Sequence, residues 1–519
     1  MKTMLKRGAG VLMPIFSLPS PYGIGTFGRA AYEFIDQLKR GRQTYWQVLP
    51  MGPTCYGDSP YQSYSAFAGN PYFIDLDTLK DEKLLTQDEI DACWWCDKQD
   101  QVKYDALYYY RFPLLRKAYE RSGHKESVEY QAFLEENEEW LDDYALYMAV
   151  KGKYEGKGWM DWDEDIRFRR PEALSACREE LAEEINYWKF LQFKFFEQWK
   201  KLKQYAKEKE LQIVGDIPIY VALDSADVWS HPELFQLDEE NLTPLKVSGV
   251  PPDAFSEDGQ LWGNPLYRWD VHRNTGFEWW MKRLAHCFNM YDVVRIDHFR
   301  GFDEYYAIPY GDKTAERGWW EKGPGMDLFR TVSQRLGQKD IIAEDLGFMT
   351  DSVKRLVEES GYPNMKVIEF AFDARDTGNA SDYLPHNYTN NCVVYTGTHD
   401  NETLLGWYSD ITPEERHMVR EYLWNFHDDE KGICRNMIRL VMGSAAGRCI
   451  IPIQDYLQLD NTARINQPST LGINWKWRLT EGQFTKELQK EMLALVTRFG
   501  RRNWTPDPVE EEDEEKEEA

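Results

Sequence analysis

Several short apolar runs end in acids with other polar groups beside them. Residues 293–302 read VVRIDHFRGF, where Val293, Val294 and Ile296 give way to Arg295, Asp297, His298 and Arg300. Residues 341–346 (IIAEDL) carry Glu344, and residues 393–400 (VVYTGTHD) end in His399 and Asp400. Two further runs, 211–221 and 366–372, bring in Asp216 and, one residue past its end, Asp373. Carboxylates paired in this way suit glycosidic-bond chemistry. One must be ionised to attack or stabilise an oxocarbenium-like centre, and another must be protonated to release the leaving oxygen. Arg295 favours the charged form of Asp297, which suits a nucleophile. Glu344 follows Ile-Ile-Ala and has acids nearby, so it keeps its proton more easily and suits the acid. Any one of these acids could instead be structural, capping a loop or pairing with an arginine, but five at one rim are hard to obtain that way.

Other chemistries fit less well. Asp and His together could hold a metal, yet no H-x-H or H-E-x-x-H supplies adjacent ligands. The pairs Asp75/Asp77 and Asp161/Asp163 lie away from the apolar runs and read as solvated. Cys93 and Cys96 form a lone C-x-x-C without a second pair. No phosphate-binding G-x-x-x-x-G-K-[ST] occurs. Residues 23–28 (GIGTFG) match a dinucleotide fingerprint letter for letter, but a turn separates them from the preceding strand and no ribose-binding acid follows at the required spacing. They read as a turn.

The elements that must position these acids are strands. Eight runs qualify: 11–16, 45–51, 211–221, 293–296, 341–346, 366–372, 393–399 and 449–457, most of them followed by helix-period sequence. That alternation predicts a (β/α)8 TIM barrel, in which the C-terminal ends of all strands face one mouth. Residues 76–207 change in texture, with charged residues alternating with Leu, Trp and Tyr at helical spacing, and read as a large helix-rich insertion. Its aromatic stripes read as helix packing. The division is therefore 1–75 for two barrel strands and a tyrosine-rich loop, 76–207 for the insertion, and 208–505 for the rest of the barrel. A lid insertion at about 222–280 and smaller loop subdomains surround the mouth, and 506–519 form a disordered acidic tail.

Composition narrows the partners. The net charge of −26 argues against nucleic acid and anionic membranes. Residues 510–518 supply −7 of it, leaving −19. No apolar run approaches the ~20 residues of a membrane span. The run at 11–16 is broken by Pro14 and lacks a cleavage pattern, so it reads as a strand rather than a leader. Eight scattered cysteines suit a reducing, cytoplasmic setting. The 20 Trp, 31 Tyr and 25 Phe often sit in loops beside Gly, Pro, Asn and Asp, where core packing explains them poorly. Flat rings with polar edges suit a sugar.

Read together, R-x-D-H on the fourth strand, Glu on the fifth and H-D on the seventh resemble the catalytic segments of the α-amylase clan. Within it, the strings SLPSPYGIGTFG, GDSPYQSYSAFAGNPY, GDIPIYVALDSADVW, GVPPDAFSEDGQLWGNPLYRW, VVRIDHFRGF, AEDLG, FAFD, LPHNY and YTGTHDNET resemble the 4-α-glucanotransferases, called amylomaltase or disproportionating enzyme. The likeness runs over residues 7–504. It implies retaining transfer of α-1,4-glucan segments from a maltooligosaccharide donor to the 4-hydroxyl of an acceptor glucan or glucose. By position it makes Asp297 the nucleophile, Glu344 the acid/base and Asp400 the stabiliser of the transition state. Arg295 and His399 support the donor sugar, His298 is a further substrate-binding residue, Asp216, Tyr61 and Asp373 fall in the donor pocket, and Tyr61 stacks under the ring being cleaved. Gln260 and Trp262 belong to a lid over the acceptor side, Asn466 is a further sugar contact, and Tyr56 and Tyr104 match a secondary glucan groove. Near Asn466 the family often has Pro-Gly where this chain has Pro468-Ser469, which bears on the loop's geometry. No metal, no organic cofactor and no appended starch-binding module are expected, and the chain is read as a monomer or homodimer. A hydrolase of the same clan would use the same acids, and a silent glucan-binding protein would have no use for a nucleophile beside an arginine.

Overall fold

The computed structural model describes residues 5–55, 57–252, 257–347, 349–374 and 382–502. Tyr56, part of the expected lid (253–256) and the acidic tail therefore lie outside the described residues. Among those described, twelve strands form in chain order: β1 (Gly8–Leu12), β2 (Tyr45–Gln47), β3 (Gln212–Pro218), β4 (Lys246–Val250), β5 (Gln260–Pro265), β6 (Val293–Asp297), β7 (Glu304–Pro309), β8 (Trp319–Lys322), β9 (Ile341–Ala343), β10 (Asn364–Val367), β11 (Cys392–Tyr395) and β12 (Arg448–Pro452). Eight of them close into a parallel barrel in the order β1-β12-β11-β10-β9-β6-β3-β2. These are the eight runs read from the sequence, with edges moved. The first strand sits earlier than expected, at Gly8–Leu12, because Pro14 ends the ladder and Ile15–Ser17 turn into a 3-10 helix.

The strands are buried on both faces, and their side chains sort by period two. Val293 points into the barrel with Leu12, Tyr45, Val214, Ile342, Met365, Val393, Tyr395 and Ile450. Its neighbours Val294 and Ile296 face outward into the layer shared with the helices. This alternation sends Arg295 and Asp297 to the inside as well. The register pairs Asp216 with Arg295 and Pro218 with Asp297 across β3 and β6. It also pairs Arg295 with Ile342 across β6 and β9. Two main-chain bonds carry that ladder past the end of β9, from the Glu344 NH to the Ile296 carbonyl (3.2 Å) and from the Phe299 NH to the Glu344 carbonyl (3.0 Å). Glu344 is thereby fixed beside Asp297 at the C-terminal mouth.

Residues 76–207 are helices and turns apart from an isolated bridge from Gln101 to Trp477, and they include two long helices, Val128–Lys153 and Ala182–Glu208, that pack on each other. The second also contacts β3 and the helix Arg29–Arg40, so it serves as a barrel helix too. The region read as an irregular lid is more ordered than its Gly- and Pro-rich sequence suggests. β4 and β5 pair antiparallel, and β4 continues into β7 and β8, forming a four-stranded sheet. The sequence signal was weak because β7 and β8 lie in an excursion just after Asp297 that carries no clear alternation. The GIGTFG segment is a turn: Gly25 NH donates to the Phe16 carbonyl (3.0 Å), and a Cβ on Gly28 would stand 2.1 Å from the Asp75 carboxylate. Among the described residues no helix is long and apolar enough to cross a membrane.

Candidate active site

Arg295 is the hub of the mouth. Its side chain is 3% exposed, and Nη1 donates to both oxygens of Asp216 at 2.7 Å while Nη2 reaches Asp297 Oδ1 at 3.0 Å. The Tyr61 hydroxyl donates to Asp216 Oδ2 at 3.0 Å. One guanidinium thus ties β3, β6 and the tyrosine-rich loop after β2 into a rigid floor, a geometry that its planar fork allows and an ammonium does not.

Glu344 is held differently. Its Oε2 accepts the His298 NH (2.7 Å) and its Oε1 the Leu346 NH (2.8 Å). His298 adopts φ +55 to present that NH, a left-handed conformation that is costly for a residue with a Cβ. The strain is spent on aiming a main-chain donor at a site carboxylate. Burial first, and then the neighbouring Asp297, push the Glu344 carboxyl up to about 7. Burial also raises Asp297, to about 6, but Arg295 works against that rise. Of the two tightly coupled acids, the one touching the arginine therefore gives up its proton first.

Asp400 behaves as a fixed anion. Burial opposes its charge, but His399 Nε2 at 3.2 Å from Oδ2 and the Asn466 amide donating to Oδ1 at 2.6 Å outweigh it, holding the carboxyl at about 2. Asp400 in turn raises His399 against the effect of burial. The Tyr61 ring stacks on His399, centroids 5.0 Å apart and planes 13° apart, and Trp475 closes on both rings from 5.9 and 6.0 Å.

The remaining expected residues fall in three groups. Trp262, at one end of the lid sheet, meets the His298 ring edge-on at 4.8 Å, and its indole NH donates to Gln260 Oε1 at 3.1 Å, so both lid residues stand over the catalytic loop. Tyr104 donates its hydroxyl to the Trp475 carbonyl (2.8 Å), which links it to the Tyr61 side of the mouth. Tyr56 lies outside the described residues. Asp373 follows the turn Ile368–Phe372 and stands beside Glu415 of the helix Pro413–Leu423. The Pro468-Ser469 departure leaves the turn intact, since Ser469 takes φ +64, the region glycine favours.

Three groups that hold the Asp400 loop were not singled out from the sequence. Asp455, 1% exposed, accepts the Thr396 hydroxyl at 2.5 Å and the Leu404 NH at 2.8 Å, clasping the loop at both ends. Arg464 donates to the Asp400 carbonyl (2.8 Å), and Trp475 packs as described above. Asp455 was legible in principle, because it interrupts the eighth apolar run near its end as Glu344 interrupts the fifth. Among the described residues no group of three or more His, Cys, Asp or Glu is placed to hold a metal ion, and Cys93 and Cys96 are free thiols.

A closed parallel barrel with these acids at its C-terminal mouth defines a glycosidic-bond enzyme of the TIM-barrel class. The comparisons with known proteins are narrower. A sequence profile described as 4-alpha-glucanotransferase matches residues 13–485. A 4-alpha-glucanotransferase of Clostridium butyricum is 50% identical over 491 residues, covering 94% of this chain and all of that protein. One from Thermus thermophilus is 45% identical, covering 95% of this chain and 98% of that protein. The solved structure of an amylomaltase from Streptococcus agalactiae in complex with acarbose superposes with a TM-score of 0.92 at 41% identity, covering 96% of this chain and all of that one. The chain belongs to the 4-alpha-glucanotransferase family, and it is an enzyme of carbohydrate metabolism.

Proposed function

We propose that the chain transfers α-1,4-glucan segments with retention, through a glycosyl ester on Asp297. Glu344 gives its proton to the leaving O4 as the C1–O4 bond breaks and an Asp297 oxygen bonds to C1. The 4-hydroxyl of an acceptor glucan or glucose then bonds to C1, its proton returns to Glu344, and Asp297 is released. Asp400, held ionised, accepts hydrogen bonds from donor hydroxyls and stabilises the positive charge developing at the sugar ring. Tyr61 and His399 offer the donor ring a flat floor, with Arg295, Asp216, His298, Asp373 and Asn466 around it. The observation that carries this reading is the division between the two acids, one in contact with a guanidinium and the other held by two backbone NH groups.

Two outcomes test it. Maltotriose is expected to yield glucose together with a ladder of longer maltooligosaccharides. A digest holding only shorter sugars would assign the chain to hydrolysis instead. The lid over His298 favours transfer by keeping water from the ester. Activity is also expected to follow a bell in pH. It rises as Asp297 loses its proton near 6 and falls as Glu344 loses its own near 7, the two limbs belonging to the coupled pair. An initial-rate profile that is flat through neutrality would contradict these roles. The eight free cysteines fit a cytoplasmic enzyme, and a monomer or homodimer suffices, since the residues named above come from one chain.

A further inference from the structure

The helix Pro413–Leu423 ends in a loop that displays aromatic rings to solvent. Trp424 is 82% exposed and Phe426 46%, their centroids 5.9 Å apart and their planes at 78°, with the His417 ring 6.2 Å from Phe426. The loop is built rather than loose. Trp424 caps the helix at φ +51, and Arg420 donates to the carbonyls of Asn425 (3.4 Å) and Asp428 (3.1 Å). Asn425 Oδ1 accepts the His427 and Asp428 NH groups, and its amide donates to Asp428 Oδ2 at 2.8 Å. None of these bonds uses the indole or the phenyl ring. Two large rings packed edge-to-face on each other, carried by a hydrogen-bonded loop and left largely in water, form a recognition surface.

We propose that this face is a second glucan-binding surface, separate from the mouth and from the groove expected at Tyr56 and Tyr104. The occupant follows from the surroundings. Glu421, Asp428, Asp429 and Glu430 are exposed in the same stretch of chain and outnumber the exposed Lys431, on a protein of net charge −26, which disfavours anionic partners and leaves carboxylate lone pairs for the hydroxyls of a neutral polyol. The face is also within reach of the same substrate. Glu415, in the first turn of this helix, accepts the NH of Ala374 (3.3 Å), the residue after Asp373. Eleven residues of helix carry the chain on by ~16 Å. A polymeric donor gripped at the mouth overhangs that span, and a short donor does not. Rings carried on a loop whose backbone is already hydrogen-bonded stack on such a chain with less of the protein left to order.

The proposal rests on the glucan-transfer reading, and its test keeps the two apart. Trp424→Ala and, separately, Phe426→Ala are compared with the parent for retardation in amylose-containing gels, for KM on amylose and for turnover of maltotriose. Retardation is expected to weaken and the amylose KM to rise about 2- to 10-fold, while kcat and KM for maltotriose stay unchanged. Unchanged amylose retardation and KM in both variants overturn the proposal. So does a change in sedimentation with the amylose KM intact, which would assign the face to a second copy of the chain. A parent that fails to disproportionate maltotriose instead overturns the transfer reading.

Discussion

Glu344→Gln is expected to lower kcat on maltooligosaccharides by about 10²- to 10⁴-fold, the range that positioned general acid catalysis supplies, and to leave an activated donor able to react once. On the proposed roles, a sugar 4-hydroxyl, a poor leaving group, needs the Glu344 proton, whereas fluoride departs from an α-maltosyl fluoride without one. The first half-reaction with the fluoride therefore proceeds in the variant. The second half-reaction stalls, because the amide cannot take the acceptor's proton, and the ester accumulates. Peptide mass spectrometry after quenching is expected to find the maltosyl group on the peptide containing Asp297. The variant should fold, since Gln keeps one carbonyl oxygen for the His298 or Leu346 NH that Glu344 now accepts. A sugar found on any other peptide, or turnover of maltotriose at the parent rate, would reverse the assignment of the two acids.

That both acids could be read from the chain follows from how barrel strands are written. β6 and β9 are buried on both faces, so they appear as short Val/Ile/Ala runs, and the acids that end those runs mark the mouth. Asp297 and Glu344 are those acids. The same logic located all eight strands but misplaced their edges, because a ladder ends where its partner ends and no residue of the strand itself records that. β10 stops at Val367, for instance, although the apolar sequence runs on to Phe372 as a 3-10 turn. The lid sheet was illegible for a different reason. β4 pairs with β7 across the whole of β6, and short paired edges rich in Gly, Pro and Ser carry little periodicity. Asp455 could be read as a charge in the eighth apolar run, but not as a clasp, because its partners, Thr396 and Leu404, lie far off in sequence and a bond between distant segments leaves no local pattern. The Asp400 side was half legible: His399-Asp400 stood out as a polar pair ending a strand, while the arginine and tryptophan that hold it in place looked like loop residues.

The largest expected loss of stability lies at the floor of the mouth. Arg295→Met removes a cation that contacts both Asp216 and Asp297, and Asp216 is fully buried. Breaking a buried pair by removing one partner typically costs about 3–5 kcal/mol, because the other charge is left without compensation. The Tyr61 hydroxyl is then the remaining donor that the structure gives to Asp216, and a neutral hydrogen bond offsets only part of that cost. Urea unfolding followed by tryptophan fluorescence is expected to show a markedly lower midpoint. The same substitution carries a signature in activity. Arg295 lowers the pKa of Asp297 and, more distantly, that of Glu344, so its loss raises both. The sign follows: the acid limb of the rate profile moves to higher pH, since Asp297, the proposed nucleophile, keeps its proton longer, and the alkaline limb moves up less. The window between them narrows and the maximal rate falls. Arg295→Lys separates the two effects. It restores the charge but cannot span the two carboxylates with a planar fork, so part of the stability and of the acid limb should return, but not the full rate. A methionine variant with the parent's unfolding midpoint and an unmoved acid limb would show that neither Asp216 nor Asp297 depends on this guanidinium.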